Sequence, residues 1–154
     1  SVDTRMRLYA WVDRLRSQLA DEAELLSLPP LDPCSTELSL LFYPSGGFYA
    51  RHLDVPATAD GWYLRHREGS RMQYSIKRTI SFILYLEEPA WEAAWGGQLR
   101  LWPREGDTEV VDITPSGGTL VLFRSDQIEH EVLVTHRRRR CLVGWFRTSR
   151  WKSF

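Results

Sequence analysis

The feature that most constrains this chain is a change of hydrophobic period at Pro29-Pro30. Before it, Leu8, Trp11, Val12, Leu15, Leu19, Ala23 and Leu26 recur every three or four positions, which places them on one face of a helix. The spacing predicts an amphipathic helix over about 4–28. Two successive prolines stop it, because neither donates a backbone hydrogen bond and each disfavours helical geometry in the residue before it. After Pro33 the period falls to two. Strands are predicted at 37–43, 48–53, 78–86, 98–102, 109–113, 119–124, 130–135 and 139–147. Turn residues separate most of them, notably Pro44-Ser45-Gly46-Gly47, Pro89, Gly96-Gly97 and Pro115-Ser116-Gly117-Gly118. Eight short strands in one open sheet would leave long unpaired edges, so a closed or double-sheet β architecture is expected behind the helix. The whole of 1–154 reads as one domain, mainly β, with its β core at about 37–147.

Composition narrows the function classes. With 43% hydrophobic and 26% charged residues, the chain has enough apolar surface for a core without disulfides or metal. Its 20 basic and 20 acidic residues cancel, which argues against a global field that recruits nucleic acid or membrane. No stretch approaches the ~20 apolar residues of a spanning helix, and no membrane partner is expected. Cys34 and Cys141 match no metal or redox spacing, so two free thiols are expected, with a cytoplasmic or nuclear location. The connection 55–77 is long and weakly periodic, as binding loops often are, and it carries Tyr63, Arg65, Arg67 and Arg71. Aromatic and arginine side chains are common anchors, so these four are candidate substrate contacts.

The chemistry-bearing pattern is His52-Leu53-Asp54 with His130 far downstream. Residues two apart on a strand project to one side, so His52 and Asp54 can present an imidazole and a carboxylate to the same point. A histidine from another strand completes two nitrogens and one oxygen on one face of a metal, an arrangement suited to non-haem Fe(II). Such a centre holds a chelating keto acid whose far carboxylate needs a fixed cation, and the planar fork of arginine fits that task. Arg137-Arg138-Arg139-Arg140 opens the apolar strand Cys141 to Phe146, and alternation turns one parity inward with Cys141, Val143 and Trp145. That parity contains Arg139, with Arg140 as the alternative. In the strand at 78–86, Ile80, Phe82, Leu84 and Leu86 are all apolar, while Thr79, Ser81, Ile83 and Tyr85 are mixed, as the wall of a small polar pocket should be.

Taken together, several ordered blocks resemble the prolyl 4-hydroxylase-type branch of the Fe(II)- and 2-oxoglutarate-dependent dioxygenases. They are Phe42-Tyr43-Pro44 through Asp54, Arg78-Thr79-Ile80 through Leu86, Trp95-Gly96-Gly97-Gln98-Leu99-Arg100-Leu101-Trp102, Pro115 through Phe123, and Ser125 through His130 to Gly144-Trp145-Phe146. The resemblance implies a double-stranded β-helix, a jelly-roll relative. It further implies that His52, Asp54 and His130 bind iron, and that Arg139, Tyr43 and Tyr85 contact 2-oxoglutarate, with Leu99, Val143 and Trp145 lining the site. The implied reaction couples conversion of 2-oxoglutarate and O2 to succinate and CO2 with hydroxylation of a C–H bond, with ascorbate as a candidate reductant. A carboxylate at Asp54 fills the position a halide would take and favours hydroxylation over halogenation. The branch suggests a prolyl residue in a peptide or protein as substrate; a free amino acid or other small molecule would use the same core. A basic stretch from Arg124 onward, with Trp145, Trp151 and Phe154, makes a nucleic-acid demethylase or binding protein a lesser alternative.

Overall fold

The structure, a computed structural model, describes residues 2–55, 62–66, 73–103 and 109–152. It opens with helix α1 at Val2–Asp21. The predicted helix ran further, to about residue 28, but 22–27 form turns, and Leu26 is exposed. Nine strands follow among the described residues: β1 Thr36–Tyr43, β2 Tyr49–His52, β3 Tyr63–His66, β4 Gln73–Tyr85, β5 Leu99–Trp102, β6 Val111–Ile113, β7 Leu120–Arg124, β8 Glu129–Val132 and β9 Arg139–Lys152. No described helix is long and apolar enough to cross a membrane.

The strands make two antiparallel sheets. The larger runs β1-β9-β4-β3, with β7 also on β4; the smaller runs β2-β8-β5-β6. One edge of β4 is shared, β3 pairing with its first half and β7 with its second. This corrects the expectation of an irregular connection at 55–77, because β3 and the start of β4 lie inside it. Sequence periodicity missed β3 because it is four residues long and pairs only locally with β4. β9 likewise runs five residues past the predicted end, carried by its pairing with the extended β4.

Strand alternation sorts the large sheet into two faces. Ile80 and Phe82 of β4 and Leu142 and Phe146 of β9 join Val12 of α1 in one cluster, with Leu8, Trp11, Leu15 and Leu19 packed against it. The opposite parity, Ile83, Tyr85, Cys141 and Val143, packs with Val121 and Phe123 of β7 and with Leu99 and Val132 of the small sheet. The first cluster seats the helix, and the second lies between the sheets, where a site can be walled on both sides. Leu86, grouped with the apolar parity in the sequence, follows the end of β4 and is exposed. Gly144 is required where Phe82 crosses β9: a Cβ there would meet the Phe82 ring at 2.3 Å and the Glu37 carbonyl oxygen at 2.7 Å.

Candidate metal centre and cosubstrate pocket

Strands β2 and β8 are antiparallel neighbours, and His52 stands directly opposite His130. Cross-strand partners on one face bring their side chains together, and the two imidazole centroids are 4.2 Å apart. Asp54 follows the end of β2. Its Oδ1 lies 3.3 Å from His52 Nε2 and its Oδ2 3.6 Å from His130 Nε2. One donor atom from each residue falls within 4.8 Å of the other two. Two nitrogens and one oxygen in so small a triangle are the donor set of a facial Fe(II) centre.

The ring orientations are fixed from behind. His52 Nδ1 donates to the Ala50 carbonyl at 2.8 Å and His130 Nδ1 to the Ile128 carbonyl at 3.2 Å. A carbonyl can only accept, so each Nδ1 carries the hydrogen and each Nε2 keeps a lone pair for a metal. Burial lowers the pKa of His130 and favours the neutral form. At His52 burial acts in the same direction, but the Asp54 carboxylate and the Ala50 carbonyl raise the pKa on balance. Burial pushes Asp54 upward; contacts with His52, His130 and Ser81 outweigh it and hold the carboxyl at about 2. Asp54 is therefore an anion at neutral pH.

A cavity of about 680 Å³ opens beside this triangle, and Tyr43, Leu99, Val143 and Trp145 line it together with the three donors. Arg139, at the start of β9, is fully buried. Its Nη1 faces Cys141 Sγ at 3.8 Å, while Nε and Nη2 meet no acceptor. The Tyr43 and Tyr85 rings flank the guanidinium, with centroids 4.8 and 5.0 Å from its carbon. The Tyr85 hydroxyl is also buried without a partner. Burial pushes its pKa up to about 12, so it retains its proton and can donate. A buried cation with free donors is costly, of the order of several kcal/mol, unless an anion meets it. Arg139 and Tyr85 thus fit the far carboxylate of a dicarboxylic keto acid. Gly97 allows the close approach: its φ is +72°, and a Cβ would stand 3.1 Å from Arg139 Cδ.

Alternation separates the arginines. Arg139 turns in, whereas Arg140 is exposed and bonds Glu87 Oε1 at 3.2 Å. Other arginines that made the C-terminal stretch look basic are paired locally, Arg124 with Asp126 and Arg147 with Glu37. The candidate substrate contacts are less defined. Tyr63 and Arg65 lie on β3, opposite Ile76 and Tyr74 of β4, and Arg67 and Arg71 lie outside the described residues.

Sequence reasoning missed Arg78 and Glu37. The Arg78 guanidinium stacks 3.8 Å over the Trp145 ring, donates to the Asp54 carbonyl at 3.2 Å, and grips Glu37 through Nη2 at 2.7 Å and Nε at 3.2 Å. Strict alternation assigns Arg78 to the helix face with Ile80 and Phe82. A register shift between Arg78 and Ile80 resets the pattern and places Arg78 on the cavity wall.

The 2OG-Fe(II) oxygenase superfamily model matches residues 38–147, and the chain belongs to that family. The fold is similar to that of a Pseudomonas putida prolyl-4-hydroxylase, with a TM-score of 0.64 and 35% identity over 92% of this chain and 63% of that one. A Trichoplax adhaerens prolyl hydroxylase, solved with a hypoxia inducible factor oxygen degradation domain peptide fragment, matches at a TM-score of 0.65 and 29% identity, covering 90% of this chain and 54% of that one. A Phytophthora capsici prolyl 4-hydroxylase matches at 0.64 and 26%, covering 87% of this chain and 41% of that one. The chain thus spans less than two-thirds of the length of each. These relatives agree with the double-stranded β-helix expected from the sequence.

Proposed function

We propose that this chain hydroxylates a prolyl residue of a peptide or protein, using Fe(II), 2-oxoglutarate and O2 and releasing succinate and CO2. The observation that carries this reading is a three-donor metal set in a cavity also walled by Tyr43, whose ring flanks a buried guanidinium with unpaired donors. His52 and His130 offer Nε2 lone pairs to the metal and Asp54 a carboxylate oxygen. Arg139 takes the far carboxylate of 2-oxoglutarate in its planar fork, Tyr85 adds a hydroxyl donor, and Tyr43 closes the side of the guanidinium. Bound iron and 2-oxoglutarate supply the oxygen-activating chemistry. Leu99, Val143 and Trp145 supply apolar wall that limits water near the reacting bond.

A peptide substrate is supported by the peptide held by the Trichoplax relative and by the open cavity, whose volume is in the range of ligand-binding clefts. Arg78 and Trp145 present a cation and an aromatic face at its wall, suited to a peptide carbonyl and an apolar ring. Tyr63, Arg65, Arg67 and Arg71 are assigned to the same substrate by their place in the chain between Asp54 and β4. The free thiols Cys34 and Cys141 support a reducing compartment, cytoplasm or nucleus, which fractionation checks.

The test is mass spectrometry of proline-containing peptides and of free amino acids incubated with the protein, iron and 2-oxoglutarate. The expected product is a peptide heavier by one oxygen atom, matched by succinate and absent with His52→Ala. Oxidation of a free amino acid while all peptides stay intact would overturn the substrate assignment.

A further inference from the structure

Behind the metal triangle lies a pair of hydroxyls that the donor set alone does not require. Ser81 Oγ of β4 donates to Asp54 Oδ2 at 2.7 Å. A serine hydroxyl owns one hydrogen and a carboxylate supplies none, so that hydrogen is committed to Asp54. Ser81 Oγ also lies 2.8 Å from Ser125 Oγ. In that contact Ser125 must donate and Ser81 accept. The two bonds therefore run one way, from Ser125 to Ser81 to Asp54, and each polarises the next.

Both serines are held rigidly and kept from water. Ser81 is 1% exposed and Ser125 is fully buried. Ser81 pairs with Phe123 of β7, and Ser125 follows the end of that strand, with its backbone N–H bonded to the Thr79 carbonyl at 3.1 Å. From the other end, Arg78 holds the Asp54 carbonyl. The main chain and the carboxylate of Asp54 are thus each held, the carboxylate by Ser81 alone, with Oδ2 taking the Ser81 hydrogen 3.6 Å from His130 Nε2 and Oδ1 lying 3.3 Å from His52 Nε2.

We propose that Ser81 and Ser125 are positioning residues that make Asp54 bind a metal through Oδ1 alone, leaving Oδ2 to Ser81. The proposal rests on the reading of His52, Asp54 and His130 as metal ligands. Its consequence is a count of coordination positions. Two imidazoles and one oxygen use three sites of an octahedral ion and leave three, enough for a chelating keto acid and a further small ligand. A chelating carboxylate would use four. The hydroxyl pair therefore keeps the third position open without touching substrate or cosubstrate.

The experiment uses Mn(II) as an oxygen-stable probe and protein labelled with carbon-13 at aspartate carboxyls. An infrared difference spectrum, metal-bound minus metal-free, gives the separation between the two carboxylate stretches, wide for one-oxygen binding and narrow for chelation; Asp54→Asn identifies the band. The wild type should give the wide separation. Ser81→Ala should narrow it, weaken 2-oxoglutarate binding to the Mn(II) form, and weaken Mn(II) binding itself by roughly 10-fold to 100-fold, the range seen for metal affinity when outer-sphere partners of metal ligands are lost. Ser81→Thr, which keeps the hydroxyl, should restore the wide value. Ser125→Ala should narrow it less, and it decides the matter if Ser81→Ala does not fold. A narrow separation in the wild type, or one unchanged in the folded Ser81→Ala or Ser125→Ala protein, overturns this proposal alone. Failure of the wild type to bind Mn(II) overturns the metal-site reading and this proposal with it.

Discussion

Replacing Arg139 by Met should separate binding from stability. In the free protein the guanidinium is fully buried with Nε and Nη2 unsatisfied, so it is an electrostatic burden on the fold. Exchange of a buried ionic group for an apolar one of similar volume is often neutral or stabilising by about 1–4 kcal/mol. Arg139→Met should accordingly melt at or above the wild-type temperature. With 2-oxoglutarate present the sign reverses. Truncating one partner of a buried charge pair costs about 2–5 kcal/mol, which corresponds to a Kd raised roughly 30-fold to 5000-fold. Titration of the Mn(II)-loaded protein, followed by calorimetry, reads this directly. Thermal melts give a second reading: ligand at about 100 times the wild-type Kd adds about 2.7 kcal/mol to the wild type, a shift of roughly 5–10 °C for a domain of this size, and the same concentration should add about 0.9 kcal/mol or less to Arg139→Met. Arg140→Met is the control, because Arg140 is exposed and its partner is Glu87. Equal weakening by both variants, or tight binding by Arg139→Met, would refute the assignment of Arg139.

Four further outcomes follow from the packing. Phe82→Ala removes a fully buried ring from beneath α1 and should cost about 3–5 kcal/mol in denaturant unfolding, while Gly144→Ala, forced against the same ring, should cost about 1–3 kcal/mol. Cys34 is exposed, whereas Cys141 is buried and its pKa is pushed up by that burial, so a thiol reagent should titrate one cysteine in the native protein and both after unfolding. Arg78→Met loses a partly exposed ion pair with Glu37 worth about 1 kcal/mol or less together with its bond to the Asp54 carbonyl, and should lower the melting temperature by a few degrees while raising KM for a peptide substrate; an unchanged KM would remove Arg78 from the substrate wall.

The sequence was most informative where local periodicity and burial coincide. The helix face, the two parities of β4 and the inward turn of Arg139 all follow from alternation, because the large sheet is covered on both faces and a slipped register would bury charge. His52, Asp54 and His130 were legible from their spacing and residue types, although β2 ends at His52, so Asp54 reaches the site from the bend that follows the strand while His130 stands across from His52. What alternation could not supply was the result of pairing between distant segments. β3 forms because β4 extends to meet it, and Arg78 enters the cavity through a bulge that only the β4–β9 register defines. Ser81 was placed on the pocket side, but its bond to Asp54 and the donor order through Ser125 depend on distances of less than 3 Å that no spacing rule encodes.

The proposed function stands on His52, Asp54 and His130 holding an Fe(II) ion to which 2-oxoglutarate chelates. Anaerobic titration of the protein with Fe(II) and 2-oxoglutarate tests it most directly, through the metal-to-ligand charge-transfer band of the complex in the visible spectrum. The band should appear with the wild type, saturate at one cosubstrate per chain, and be abolished when His52→Ala and Asp54→Ala are combined. Its absence from the wild type, or its persistence in the double variant, would contradict the account.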